Sequence, residues 1–354
     1  MLNLWARCWH QPDAAHTNPL GYDSWFQRVT PDANGYGTIT FPANSYPHGP
    51  ITITLNAWDG AEGQGYTRSD NCYLQLYNNG GVSWSEGLSG VPAPPQAAGM
   101  SLAFSDDFNS MPTISRTGAG TTYTSVKASG DEYGDAIMAD YGSANNPFFQ
   151  AGTYLKIETA YRPGAYDPMG WNRNYTTGHL SSMRQDGTSF HTTGGRNQYF
   201  ECRFLAAPNP GCWPAFWTLT AGNYVGHTTA PCDELDIIEG YVGWPDSYHS
   251  CFHTWGYGST HTDDTINVTS IGGGGNINQT FHTYGLKITQ STTYVYFDNV
   301  QVLSRPTLQY SWSDGNYFMI DNELKPNDAL LFGTFQRYGN FGNLWVDWVR
   351  VYQS

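Results

Sequence analysis

Three carboxylates, Glu234, Asp236 and Glu239, sit among apolar residues in the stretch Pro231-Cys232-Asp233-Glu234-Leu235-Asp236-Ile237-Ile238-Glu239-Gly240. An acidic row on an otherwise apolar segment is expensive unless its face opens onto a cleft where the charges are used. The chemistry that needs such a row is cleavage of a glycosidic bond with retention. One carboxylate attacks the sugar carbon, and a second protonates the leaving oxygen and then activates water. A third between them raises the acid's pKa by like-charge repulsion and hydrogen-bonds the nucleophile.

The element that must position them is a β-strand. Alternate side chains share a face, so Glu234 and Asp236 point the same way. Glu239 would point the other way, unless one extra residue is taken up as a β-bulge between Asp236 and Glu239. Leu235 and one of Ile237 or Ile238 then pack into the core. With one bulge the outer Cα atoms lie about 13 Å apart, so the two side chains must lean together across a curved sheet. In Gly211-Cys212-Trp213-Pro214-Ala215-Phe216-Trp217, a second strand puts Trp213, Ala215 and Trp217 on one face.

Glu-x-Asp-x-x-Glu preceded by this Trp-rich segment resembles glycoside hydrolase family 16. Further segments match that family in order: Phe104-Ser105-Asp106-Asp107-Phe108, Tyr175-Thr176-Thr177-Gly178-His179-Leu180-Ser181-Ser182, Tyr199-Phe200-Glu201-Cys202-Arg203, Phe281-His282-Thr283-Tyr284-Gly285 and Val346-Asp347-Trp348-Val349-Arg350-Val351-Tyr352. The likeness covers roughly residues 100 to 354. It implies an all-β fold, a curved jelly-roll sandwich of two antiparallel sheets with the cleft on the concave face. It also implies an endo-acting hydrolase of a β-linked polysaccharide, with Glu234 as nucleophile, Glu239 as acid/base and Asp236 assisting. The substrate it implies is a β-1,3-glucan or mixed β-1,3-1,4-glucan. The alternatives are a transglycosylase, a hydrolase of a bacterial exopolysaccharide or galactan, and a lectin-like binder on the same fold.

Five residues are expected to contact substrate. Trp213 and Trp217 come from the second strand, and His253 from Phe252-His253-Thr254-Trp255, just after the carboxylates. Trp171 belongs to the loop from Tyr161 to Arg173, and Arg203 ends its own motif. The resemblance also implies a structural calcium, with Asp347 supplying a carboxylate and the chain near Asp107 and Gly152 supplying backbone oxygens. It needs no cofactor for bond cleavage.

Composition agrees with strands and turns: 40 Gly, 20 Pro, 16% aromatics and only 13% charged residues. A net charge of −14 disfavours nucleic acid and anionic membranes as partners. No run of 18 apolar residues suits a membrane span. The expected molecule is a secreted monomer acting on a polysaccharide, although no signal peptide is recognisable after Met1. Six cysteines permit fifteen disulfide pairings, and no C-x-x-C suggests a zinc ribbon.

Residues 1–90 read as a separate immunoglobulin-like sandwich, a spacer or carbohydrate-binding domain. Its short alternating stretches include Ile51-Thr52-Ile53-Thr54-Leu55, and Trp58, Tyr66 and Trp84 are candidates for a stacking platform. Residues 91–99, Pro- and Ala-rich, read as a linker to a catalytic domain over 100–354.

Overall fold

The computed structural model describes residues 3–9, 22–45, 48–59, 65, 69–80, 87–222, 231–241, 244, 246–256, 258, 260–271, 276–325 and 340–354. From residue 101 onward the chain builds two stacked sheets, as the alternating apolar pattern requires. The back sheet has ten strands. Its centre is the long closing strand Phe341–Gln353, flanked by Gln198–Leu205 on one side and by Tyr154–Tyr161 and Ser101–Asp106 on the other. The front sheet has eight strands. Its order is Thr260–Asn267, Ser247–Trp255, Cys232–Glu239, Cys212–Thr220, Asn316–Leu324, His179–Ser181, Tyr123–Thr124 and Ile114–Ser115. The five strands from Thr260–Asn267 to Asn316–Leu324 pair antiparallel.

The main core lies between the sheets. Phe216, Leu235, Phe252, Phe318 and Ile320 from the front meet Phe200, Leu286, Val349 and Val351 from the back. All of these are at least 97% buried. At roughly 25 cal/mol per Å², such aromatic and branched side chains supply the main stabilisation of the sandwich. The opposite face of the front sheet stays open and carries the polar residues. No helix among the described residues is long and apolar enough to cross a membrane.

The amino-terminal residues form one four-stranded antiparallel sheet among the described residues, ordered Tyr22–Val29, Asn3–Trp9, Gly49–Trp58, Ser69–Asn78. A two-sheet immunoglobulin-like sandwich is not seen there. This sheet packs on the outer face of the back sheet. The Thr52 hydroxyl donates to the Asn278 carbonyl at 3.0 Å. Gln75 Nε2 donates to the Ala206 carbonyl at 2.8 Å, and Trp345 Nε1 donates to Gln75 Oε1 at 2.9 Å. Tyr77 stacks on Trp345 with centroids 6.0 Å apart. Residues 91–99, expected as a tether, lie against the jelly roll. Ala97 is buried, Gln96 Nε2 donates to the Asn299 carbonyl, and Arg350 Nη1 donates to the Pro92 carbonyl. Tyr66 and Trp84 fall outside the described residues, and Trp58 is described only as part of its strand.

Candidate active site

The Cys232–Glu239 strand carries the bulge its carboxylates require. Against Ser247–Trp255 the register runs Asp236↔Cys251 and then Glu239↔His249, so three steps on one strand face two on the other. Against Cys212–Thr220 the same slip lies between Phe216↔Ile238 and Trp217↔Asp236. The extra residue returns Glu239 to the face of Glu234 and Asp236. Ile237 and Ile238 are both fully buried, so the bulge feeds two isoleucines to the core where one was expected.

Register then sets the cleft as rows across four strands. One row is Leu219, Glu234, His253, His261; the next is Trp217, Asp236, Cys251, Asp263; the third is Ala215, Glu239, His249, Thr265. All three carboxylates line one cleft of about 610 Å³, together with Trp213, Trp217 and His253. Trp217 forms part of the floor, and its Nε1 donates to Asp321 Oδ2 at 2.8 Å. The Tyr133 hydroxyl donates to the same oxygen at 2.8 Å. Tyr133 also packs edge-on against Trp213 and Trp217. His253 stacks on Trp255 at 4.9 Å, and its Nε2 lies 3.3 Å from Asp236 Oδ2.

Burial dominates the electrostatics. It raises Glu234 to about 7, against pull from a Trp255 hydrogen bond and the Lys127 charge. Asp236 goes well above the carboxylate range, through burial first and then the charges of Glu234 and Glu239. Glu239 is raised by burial, against hydrogen bonds from Cys251 and Tyr241. An acid/base working near neutral pH needs its carboxyl raised in this direction.

Lys127 and Tyr133 belong to a loop above the front sheet that the sequence reading did not assign to the cleft. Gly134 lets that loop sit down: its φ is +72°, and a Cβ there would come 2.3 Å from Glu323 Cγ. No local pattern marks Lys127 or Tyr133. Cys251, His261 and Asp263 carried a usable signal, since strand alternation from His253 and register with the next strand put them on the same face.

Comparison with known proteins fits this geometry. Residues 167–322 match the family described as Glycosyl hydrolases family 16. Over those residues the chain carries a family 16 glycosyl hydrolase domain. Two curated relatives are endo-1,3-1,4-beta-glycanases of Rhizobium meliloti. EglC is 26% identical over 72% of this chain and 52% of its own, and ExsH is 26% identical over 58% and 40%. The chain thus spans about half the length of the curated relatives it matches. Among solved structures, a non-specific endo-beta-1,3(4)-glucanase of family 16 superposes with a TM-score of 0.55, at 21% identity over 74% of this chain and 97% of that one. The laminarinase catalytic domain of Thermotoga maritima does so with a TM-score of 0.51, at 18% identity over 72% and 98%. These two establish a shared fold.

Two residues expected at the cleft lie elsewhere. Arg203 does not reach the cleft. It is fully buried in the back sheet, with Nη1 2.5 Å from Asp347 Oδ2 and its guanidinium 4.5 Å from the centroid of the Phe281 ring. Trp171 does not line the cleft either. It is half-exposed on its loop and stacks on the Arg173 guanidinium at 4.8 Å. The Asp347 carboxylate, expected to hold calcium, has protein partners on both oxygens. Arg203 neutralises Asp347 on one oxygen, and the Gly87 N–H donates to the other at 3.0 Å. Gly152 lies under Tyr77, where even a Cβ would come 1.7 Å from the phenol oxygen, and its carbonyl accepts from Gln150 Nε2. The Asp107 carboxylate accepts from Asn109 Nδ2, and its charge is felt at Asp347. Among the described residues, Cys202, Cys212 and Cys251 are free and buried.

Proposed function

We propose that this chain is a retaining, endo-acting β-glucanase whose substrate is a β-1,3- or mixed β-1,3-1,4-glucan. The observation that carries the reading is the bulged strand, which gathers Glu234, Asp236 and Glu239 on one face at the centre of the cleft. Glu234 attacks the anomeric carbon. Glu239 gives its proton to the glycosidic oxygen and then takes one from the water that releases the sugar. Burial first, and then the charges of Glu234 and Glu239, raise Asp236 well above its ordinary value. In its neutral form Asp236 would not repel a charged Glu234. Trp213 and Trp217 offer ring faces for pyranose rings, and His253 Nε2 lies 3.3 Å from Asp236 Oδ2. The names of the Rhizobium relatives support a β-glucan, and a pure glycan binder would have no use for the buried acid trio. A polymer substrate places the enzyme outside the cell, as a monomer with its cleft open.

The test is hydrolysis of a β-glucan panel by Glu234→Gln and Glu239→Gln, with the anomer of the first product followed by NMR. Each variant should stay folded and lose activity on the order of a thousandfold. The wild type should release the β-anomer first. A variant keeping a large share of the wild-type rate, or inverted product, would overturn the reading.

A further inference from the structure

The front-sheet rows bring together three groups that the hydrolytic reading does not use as a set. Asp236 and Cys251 are register partners, and His253 follows Cys251 by two on the same face. Their carboxylate oxygen, Sγ and ring nitrogen lie within 4.8 Å of one another, and the His253 to Asp236 distance is already 3.3 Å. Zinc bonds of about 2.0 Å to N or O and 2.3 Å to S put neighbouring ligand atoms roughly 3.3 to 3.8 Å apart on a tetrahedral ion. Closing the cluster therefore takes side-chain shifts of about an ångström.

A second observation points the same way. Asp236 is only 5% exposed, and its Oδ2, the oxygen facing His253, has no hydrogen-bond partner. A buried oxygen without a donor is costly and calls for an explanation. The surroundings also favour a cation. Glu234 and Glu239 flank Asp236, and Asp263 Oδ1 lies 3.5 Å from Cys251 Sγ.

We propose that Asp236, Cys251 and His253 form a site for a divalent cation of the zinc class, and that its occupation silences the cleft. A carboxylate, a thiolate and an imidazole suit zinc and its transition-metal neighbours, whereas calcium and magnesium demand oxygen alone. As the metal bonds form, the Cys251 thiol and the Asp236 carboxyl each release their proton to solvent. Asp236 and neutral His253 each give a lone pair, water from the cleft takes the fourth position, and no group changes oxidation state. A cation seated there ties up Asp236 and holds the charge of Glu234 and Glu239 away from the sugar.

The full chain, freed of metal by chelator, is titrated with Co²⁺ and followed by absorbance. A thiolate-to-cobalt charge-transfer band should saturate at one equivalent and disappear when Zn²⁺ is added. It should be missing in Cys251→Ser and present in Cys232→Ser, the other cysteine lining the cleft. Absence of the band from the wild type, or its persistence in Cys251→Ser, would overturn the site. In the activity arm, which rests on the hydrolytic reading, Zn²⁺ should inhibit and chelator should restore the rate. For Cys251→Ser, half-inhibition should need at least tenfold more Zn²⁺, relative to that variant's own uninhibited rate. Equal sensitivity of the two would refute the link between site and silencing. A wild type inactive on every glucan would sink the hydrolytic reading alone, since the cobalt band decides the site without turnover.

Discussion

Asp321 lies beneath the cleft floor, fully buried, with the Tyr133 hydroxyl and the Trp217 indole both donating to its Oδ2. One carboxylate therefore fixes two rings that line the cleft. Leu in its place is close in size but removes the acceptor that both rings use. Asp321→Leu should lower stability by about 1–3 kcal/mol, the usual penalty when buried donors lose a partner. It should also raise KM more than it lowers kcat, because the reacting carboxyls stay in place. Melting curves and steady-state kinetics on a β-glucan check both, and unchanged KM would refute the positioning role. At this scale the acids were the legible part. Glu234, Asp236 and Glu239 could be read from spacing and strand period, and Trp213, Trp217 and His253 lie where a strand face would carry them. Asp321, Tyr133 and Lys127 were not legible, because their partners are set by the folded loop and by strands far apart in the chain.

The bulge is the element on which the site turns, and its need followed from the acid spacing alone. A one-residue slip in a strand exchanges its faces. Deleting Ile237 should therefore turn Glu239 toward the core among Leu235 and Phe252, where an unpaired carboxylate is costly. That variant should lose several kcal/mol or fail to accumulate as soluble protein; normal melting with normal activity would refute the assignment. The loop ahead of Tyr175–Thr177 is held differently. Asp167 accepts from Arg173 Nε at 3.1 Å and Nη2 at 2.7 Å, and Arg173 also reaches Glu132 at 2.6 Å. The Arg173 hydrogen bonds hold Asp167 below its ordinary 3.8. Its folded pKa is thus lower than its unfolded one. The stabilisation is present above about pH 4 and is lost as pH falls through the folded value. Asp167→Asn should melt lower than wild type at pH 7, by the equivalent of about 1 kcal/mol for a pair near solvent. The gap should close below pH 4, and a gap that widens in acid would contradict the sign. Trp171 was expected to bring this loop to the cleft; its ion pairs instead anchor it beside the Ala136–Met138 strand.

At the scale of the whole molecule, the amino-terminal sheet is a third layer on the back of the jelly roll. Alternation marked its Gly49–Trp58 strand through Ile51 to Leu55. Its docking was not legible, because Gln75 finds Ala206 and Trp345 across 131 and 270 residues of chain. Gln75→Ala strands the Trp345 N–H at that interface and should cost about 1–3 kcal/mol. Wild-type unfolding should be one transition by calorimetry, since the two units share buried contacts; two well-separated transitions would show them to be independent. The same docking bears on calcium. Tyr77 from the amino-terminal sheet sits on Gly152, and the Gly87 N–H and the Arg203 guanidinium take the two oxygens of Asp347. A fixed guanidinium already neutralises the charge that a bound cation would neutralise, and it does so with no concentration dependence. A ligand raises the melting temperature only if it binds the native state. Millimolar calcium and excess chelator should therefore both leave the melting temperature where it is. Arg203→Met should lower it strongly, by about 3–5 kcal/mol, because breaking a buried pair leaves Asp347 charged and alone. In that variant the carboxylate is released, and calcium should then recover part of the loss. A wild type whose melting rises with calcium would restore the metal site and remove Arg203 from this role.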